Sequence, residues 1–269
     1  MIKPHFLFPA SPLDSRMIDP AFQDQAIALK QAGFGTSVID IEGGRIFPKP
    51  EPDAVCVYRG WMLNPEEYMY YAEMVRLAHL NLLTTREQYL AAHHLPNWYP
   101  LVENFTPRTA VLPNNAEIVY NFCAGAFGAV EDTKLQIKDY VKSLKTAGGS
   151  VVTSADEVKE VLANMEKYRG TIEGGICVRS YEEFFHGSEV RYFVINGRYY
   201  GQQSAFDLRA MRILEEVKDS ILSPFWSIDI AMRVEDGEFR IVEIGDGQVS
   251  DLVGWTEERF AEVWKQAAL

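Results

Sequence analysis

Two acids, Asp229 and Glu243, stand among apolar residues in the run FWSIDIAMRVEDGEFRIVEIGDGQVSDL, from Phe225 to Leu252. The run reads as two strands joined by a tight turn, and the register of the strands decides what the acids can do. A three-residue loop of Glu235, Asp236 and Gly237, with the glycine in the left-handed position, sets Val234 opposite Glu238. Counting back along both strands brings Asp229 opposite Glu243 and leaves Ile228, Ile230, Met232, Val242 and Ile244 on the other face. A two-residue loop would slide the ladder by one and put Asp229 opposite Ile244, mixing acids into the apolar face. Facing carboxylates repel. A divalent cation between them removes that cost, and their oxygens are the donors Mg²⁺ prefers. The same pair also fits an edge hairpin whose acids point to water.

A second group of chemically able residues lies in KLQIKDYVKSLK. Lys138 interrupts a strand that otherwise reads as buried, and Lys142, Lys145, Gly148 and Gly149 follow it. Lysines leaving a strand end near glycines can grip phosphates as point charges. For Lys142 a solvated basic surface is the plainer reading. The chain has no Walker-type glycine-lysine loop and no GxGxxG fingerprint, so the common nucleotide folds are not indicated.

The elements that must position these residues divide into two rhythms. In the first third, strands at Phe6–Phe8, Val38–Ile41 and Ala54–Tyr58 alternate with helices. One helix opens at Asp19-Pro20 and stops at Gly33; another opens at Asn64-Pro65-Glu66-Glu67; a third opens at Thr84 with Glu87 as its capping-box partner and ends before Pro96. That alternation predicts a small parallel α/β sheet. The proline-rich run from Pro96 to Pro113 is the expected boundary or crossover. The remainder predicts an α+β arrangement. Strands lie at Lys134–Lys138, Ser150–Thr153 and Gly175–Arg179, and a hairpin turns at Asn196-Gly197. A helix from Ser154 carries Val158, Val161, Leu162 and Met165 on one face, a second runs through Leu208, Met211, Leu214 and Val217, and a last one opens at Thr256 with Phe260, Val263, Trp264 and Ala267 inward.

Composition narrows the class. The 269 residues are 47% hydrophobic, enough for one large or two modest domains. With 38 acids against 26 lysines and arginines the net charge is −12, so a nucleic-acid-binding surface has no global support. Cys56, Cys123 and Cys177 are odd in number and set in apolar runs, the pattern of reduced core thiols. The N-terminal apolar run is too short for a signal peptide and no stretch reaches membrane-spanning length, which predicts a cytoplasmic protein without a membrane partner. Oligomeric state is not readable.

Three elements occur in order: a strand lysine (LQIKDYVKS), a strand and hairpin carrying a glutamate (GGICVRSYEEFFHGSEVRYFVINGRYYGQ), and a terminal acidic hairpin (SIDIAMRVEDGEFRIVEIGDG). The ordered set resembles the ATP-grasp superfamily, and is most similar to small bacterial and phage members whose substrates are mostly unassigned. The resemblance covers roughly residues 100–269. It implies an N-terminal α/β pre-ATP-grasp domain over 1–100 and an ATP-grasp domain over 101–269, with a lid subdomain at about 134–204. It further implies ATP and Mg²⁺ as ligands and an ADP-forming ligase joining a small-molecule or peptide carboxylate to an amine through an acyl phosphate. A kinase or phosphotransferase, and a non-catalytic nucleotide-binding immunity or regulatory protein, are the alternatives. Carried over by position, Lys138 matches the lysine on the ATP phosphates. The segment from Ile176 through Cys177, Val178 and Arg179 to Tyr181 matches the strand whose backbone meets the adenine, and Glu189 matches the acid on the ribose hydroxyls. Asp229 and Glu243 match the two magnesium-binding acids. The family's closing Glu-x-Asn is broken, because Gly245 stands at the asparagine position; Asp246 is the candidate replacement ligand and Gln248 a weaker one.

Arg191, two residues beyond Glu189 on the same strand face, could reach a phosphate or form a surface ion pair. Arg59, in YRGWM after a strand, could bind a substrate carboxylate with its planar fork or pair with a structural acid. Arg209 is a substrate candidate by position alone. His93 and His94 sit at a helix end, where a cation favours the dipole. Trp61, Tyr68 and Tyr71 read as core or interface aromatics.

Overall fold

A computed structural model describes residues 3–129, 133–141, 150–169, 172–202 and 208–267. Lys142, Lys145, Gly148 and Gly149 lie outside the described residues. In chain order the elements begin with β1 (His5–Ser11), β2 (Asp14–Ile18), α1 (Gln23–Gln31), β3 (Gly35–Asp40), β4 (Arg45–Phe47), β5 (Val55–Tyr58), α2 (Pro65–Leu77), β6 (Asn81–Leu82) and α3 (Arg86–His93). Then come α4 (Leu95–Val102), β7 (Thr109–Leu112), α5 (Ala116–Ala129), β8 (Leu135–Asp139), β9 (Val151–Val152), α6 (Ala155–Arg169) and β10 (Ile176–Ser180). The last elements are β11 (Val190–Ile195), β12 (Arg198–Tyr200), α7 (Leu208–Val217), β13 (Phe225–Met232), β14 (Phe239–Asp246) and α8 (Glu257–Gln266).

Two compact units result. One comprises Met1–Ala92, Val190–Asp229 and Glu243–Leu269; the other comprises His93–Glu189 and Ile230–Val242. In the first, strands run in the order β4-β3-β1-β5-β6, with β2 on the side of β1. β1 pairs in parallel with β3 and β5, and β5 with β6, as the alternation of strand and helix predicts. The antiparallel partners β2 and β4 are additions that the sequence reading did not include. Aromatic residues cement this unit. Phe6, Phe193, Phe225, Phe260 and Trp264 share one buried cluster, which joins the sheet to α8 and to β11 and β13. A second cluster, on the far side of Leu7, Cys56 and Tyr58, is built on the buried phenols of Tyr68, Tyr71 and Tyr89.

Local capping chemistry fixes the helix starts. Asp19 accepts from the Ala21 amide ahead of α1, and Asn64 and Glu67 form a reciprocal capping box at α2. At α3 the box is one residue later than expected: Thr85 and Gln88 exchange bonds, while Thr84 is fully buried. The proline-rich stretch is also more ordered than anticipated. Pro96 sits in the first turn of α4, where its missing N–H costs nothing, and β7 follows before Pro113.

The second unit carries an antiparallel sheet of order β7-β10-β8-β9. Its core face, with Leu135, Ile137, Ile176 and Val178, packs under α5 and α6, burying Val158, Val161, Leu162 and Met165 as their helical spacing requires. A third sheet, β12-β11-β13-β14, begins with the Asn196-Gly197 hairpin, both turn residues having positive φ.

Candidate functional site

The acidic hairpin closes differently from the expectation. Arg233 N donates to Glu238 O at 2.8 Å and Gly237 N donates to Arg233 O at 3.0 Å, so the loop has four residues, Val234 to Gly237. Gly237 holds the left-handed φ of 72° that the turn demands. The ladder recovers the expected register towards its other end. Gly247 N donates to Phe225 O at 3.0 Å, and Ser227 Oγ lies 3.3 Å from the point where a Cβ on Gly245 would stand. Ser227 therefore neighbours Gly245, and by strand alternation Asp229 and Glu243 share that face.

The face is organised by Arg191. Asn196 N donates to Pro224 O at 2.8 Å, a register that sets Arg191 on β11 beside Asp229 on β13. Arg191 Nε and Nη2 donate to Asp229 Oδ1 and Oδ2 at 2.7 and 2.5 Å. Its Nη1 donates to the Asp251 carbonyl at 2.8 Å. Burial pulls the guanidinium down, but the bonds to Asp229, with the charges of Glu243 and Asp251, outweigh it and hold Arg191 above its ordinary range. Asp229 is 4% exposed, so the pair is screened little.

Asp246 does not join these acids. It falls on the opposite face of β14, is 0% exposed, and accepts at Oδ1 from Gln248 N and Nε2 at 3.0 and 3.1 Å. Gln248 in turn donates to the Tyr68 hydroxyl at 3.0 Å and accepts from Tyr58 N at 3.2 Å. Asp246 and Gln248 thus belong to the tyrosine-rich core, and the structure does not bring them to the face of Asp229. The period-two alternation decides this, because residue 246 is three beyond residue 243. Among the described residues, no three of His, Cys, Asp and Glu come together as a metal-holding group. Asp246 Oδ2 has no hydrogen-bond partner. Burial pushes this carboxyl up to about 8, against the lowering bonds from Gln248 and the charge of Arg59.

Arg59, the substrate candidate, is buried among structural partners. It is 1% exposed, and its guanidinium is consumed by structure. Nε donates to Gln25 Oε1 at 2.6 Å, Nη1 donates to the carbonyls of Gly247 and Ser250, and the plane lies over Phe260 at 4.8 Å. Burial lowers its pKa to about 9, against the charges of Asp251 and Asp246, so it stays cationic at neutral pH. Its clasp fixes the loop after β14. That loop delivers Ser250, whose Oγ is 2.6 Å from Ser227 Oγ and 3.0 Å from the Cβ position of residue 245. A side chain at Gly245 would crowd the hydroxyls of Ser250 and Ser227. Ser227 was detectable as the residue two before Asp229 on the same face; Ser250 had no signal in the sequence.

The second unit presents its own cationic face. Lys138 is opposite Cys177, and Arg179 follows two residues on; both cations are 3% exposed. Arg179 donates to Val242 O at 3.0 Å and to Thr106 Oγ1 at 2.6 Å, with its guanidinium 5.9 Å from the Trp98 ring. Ile176 and Val178 point to the core side. Burial pushes Cys177 and Cys56 up to about 12 and Cys123 up to about 11, the state of free core thiols. Glu189 is exposed immediately before β11, and Arg209 is exposed in the first turn of α7. His94 pairs with Glu173 at 2.7 Å. Tyr68 and Tyr71 are core, whereas Trp61 is 57% exposed and donates to Asp19.

A family model described as an ATP-grasp domain, the third family of its clade, matches residues 103–265, more than half of the chain. The chain belongs to this ATP-grasp family. Solved structures agree on the fold. D-cycloserine synthetase DcsG superposes with a TM-score of 0.66 at 13% identity, covering 97% of this chain and 99% of that one. D-alanyl-alanine synthetase A from Vibrio cholerae gives 0.63 at 11% identity, with 99% of each chain covered. The macrocyclase MdnC from Microcystis aeruginosa, bound with the precursor peptide MdnA, gives 0.59 at 16% identity, covering 98% and 100%. No curated protein matches. Among the described residues, no helix of this ATP-grasp protein is long and apolar enough to cross a membrane.

The donor chemistry fits one magnesium ion. Asp229 and Glu243 offer hard oxygens, and Mg²⁺ characteristically takes one or two carboxylates together with substrate phosphates.

Gly245→Asn pushes a side chain onto Ser250 and Ser227 and lowers stability by about 1–3 kcal/mol in chemical denaturation, and Ser250→Ala in the same chain recovers part of the loss. Asp246 has a folded pKa of about 8 against an ordinary 3.8, so its contribution is fully present below pH 3.8 and is lost as pH rises through 8. Asp246→Asn flattens the stability profile between these limits, measured by urea unfolding across pH.

Proposed function

We propose that this ATP-grasp protein is an ATP- and magnesium-dependent ligase that joins a carboxylate to an amine and forms ADP. The observation that carries the reading is the Arg191–Asp229–Glu243 face, a cation and two carboxylates ordered on adjacent strands of an ATP-grasp chain. Asp229 and Glu243 would hold the magnesium ion, which when bound neutralises phosphate charge. Lys138 is assigned to the phosphates, the β10 backbone to the adenine and Glu189 to the ribose. Arg191 is assigned to the charge that develops on the transferred group.

In the first step a substrate carboxylate oxygen attacks the γ-phosphorus and the bond to the bridging oxygen of ADP breaks. The amine nitrogen then attacks the acyl carbon, the C–N bond forms as the C–O bond to phosphate breaks, and the nitrogen's proton leaves with the inorganic phosphate. An amine brings its own nucleophilic lone pair, so the chemistry depends chiefly on positioning and charge neutralisation. The similar structures include a D-alanyl-alanine synthetase and a macrocyclase bound with a precursor peptide, so both amino acids and peptides belong in the assay.

The test is ADP release with MgATP across a panel of amino acids, small carboxylates and peptides, with mass analysis of the product. Asp229→Ala and Glu243→Ala are expected to lower turnover at least about 100-fold, in line with the loss of one transition-state electrostatic partner. Wild-type-like turnover in both would remove the site assignment, and a phosphorylated product lacking a new amide would reassign the chemistry to phosphotransfer.

A further inference from the structure

Both oxygens of Asp229 already hold a cation. Arg191 reaches Oδ1 through Nε at 2.7 Å and Oδ2 through Nη2 at 2.5 Å, with side-chain exposures of 14% for the arginine and 6% for the aspartate. This is the fork-on-fork geometry that uses the guanidinium edge and the carboxylate edge together. A divalent cation bound to Asp229 would bring two positive charges against that guanidinium in a site with little water to separate them. Metal and arginine therefore compete for one carboxylate.

We infer that Arg191 is a resident counter-ion that keeps magnesium off Asp229 until a nucleotide's phosphates draw the guanidinium away. This inference rests on the ATP-dependent reading above and deepens it: metal and nucleotide enter as one unit, and the cation alone binds poorly. The chain supplies the means for the exchange. Arg191 is the second residue of β11, and its backbone is held independently of its side chain, with Trp255 Nε1 donating to Arg191 O at 3.0 Å. The third nitrogen is tied only to a loop carbonyl, that of Asp251. A polyphosphate offers more negative charge than one aspartate and the same bidentate geometry, so the fork gains by moving to it. Asp229, in the middle of β13, stays in place and becomes available to the metal.

The experiment measures Mn²⁺ alone and Mn²⁺ with the non-hydrolysable nucleotide AMPPNP, each by electron paramagnetic resonance titration, on wild type, Arg191→Gln and Arg191→Lys. Arg191→Gln should bind Mn²⁺ alone at least tenfold more tightly than wild type and Mn²⁺·AMPPNP at least tenfold more weakly. Arg191→Lys, which keeps the charge but loses the fork, should fall between them. Adding Asp229→Asn should erase the gain for Mn²⁺ alone. Opposite shifts for the two ligands are the signature, because simple loss of packing weakens both. Unchanged or weaker Mn²⁺ binding in a folded Arg191→Gln protein overturns the inference while leaving the ATP reading intact. If Arg191→Gln does not fold, Arg191→Lys decides by direction: tighter Mn²⁺ alone with weaker Mn²⁺·AMPPNP supports the inference, and any other pair of shifts overturns it. Failure of wild type to bind Mn²⁺·AMPPNP at all overturns the ATP reading and this inference with it.

Discussion

The two-residue repeat along β13 and β14 is the constraint from which the site follows. It sets Ser227 and Asp229 on one side of β13 and Glu243 and Gly245 on one side of β14, and it turns Asp246 away into a core of tyrosines. One added residue in the turn would exchange these roles if the ladder carried it to the end. The turn does contain an extra residue, yet the Phe225–Gly247 bond shows the ladder back in the productive register. The shift is absorbed between the Ser227–Gly245 neighbours and the Arg233–Glu238 bond.

A single buried arginine supports that arrangement from behind. Arg59 spends its donors on Gln25 and on two carbonyls of the loop after β14, and its face on Phe260. A buried cation is costly unless it is well satisfied, so this set of partners also specifies where the loop runs. The loop then supplies Ser250 to the space at Gly245 and the Asp251 carbonyl to Arg191. Where the family's usual pattern has an asparagine, Gly245 stands beside a neighbouring hydroxyl that a side chain would crowd.

Most of the secondary structure was legible because it rests on local chemistry. Asn64-Pro65 with Glu67, Thr256 with the stripe Phe260, Val263 and Trp264, and Asn196-Gly197 all carry their instructions within a few residues. The ordered motifs were sufficient to identify the ATP-grasp family. What the sequence does not reveal depends on contacts remote along the chain. For Arg59 the sequence leaves a substrate carboxylate and a structural acid both open, because its actual partners at Gln25, Gly247 and Ser250 are remote along the chain, the farthest by 191 residues. Asp246 was judged by its nearness to Glu243 along the chain, when alternation places residues three apart on opposite faces. β7 lacks a strong capping or turn signal, whereas α5 carries one that the sequence reading did not use, Asn115 accepting from Ile118 N at 3.0 Å. The bidentate Arg191–Asp229 pair was half visible: the arginine's face was foreseen, but its partner depended on a register between strands separated by α7.

The central claim is that Asp229 and Glu243 form the metal end of a nucleotide site. A crystal structure with Mn²⁺ and AMPPNP, with data collected at the manganese absorption edge, tests it directly. The account predicts an anomalous peak within coordination distance of both carboxylates, with Arg191 turned from Asp229 to phosphate oxygen. A bound nucleotide whose manganese lies elsewhere, with the Arg191–Asp229 pair intact, would contradict it.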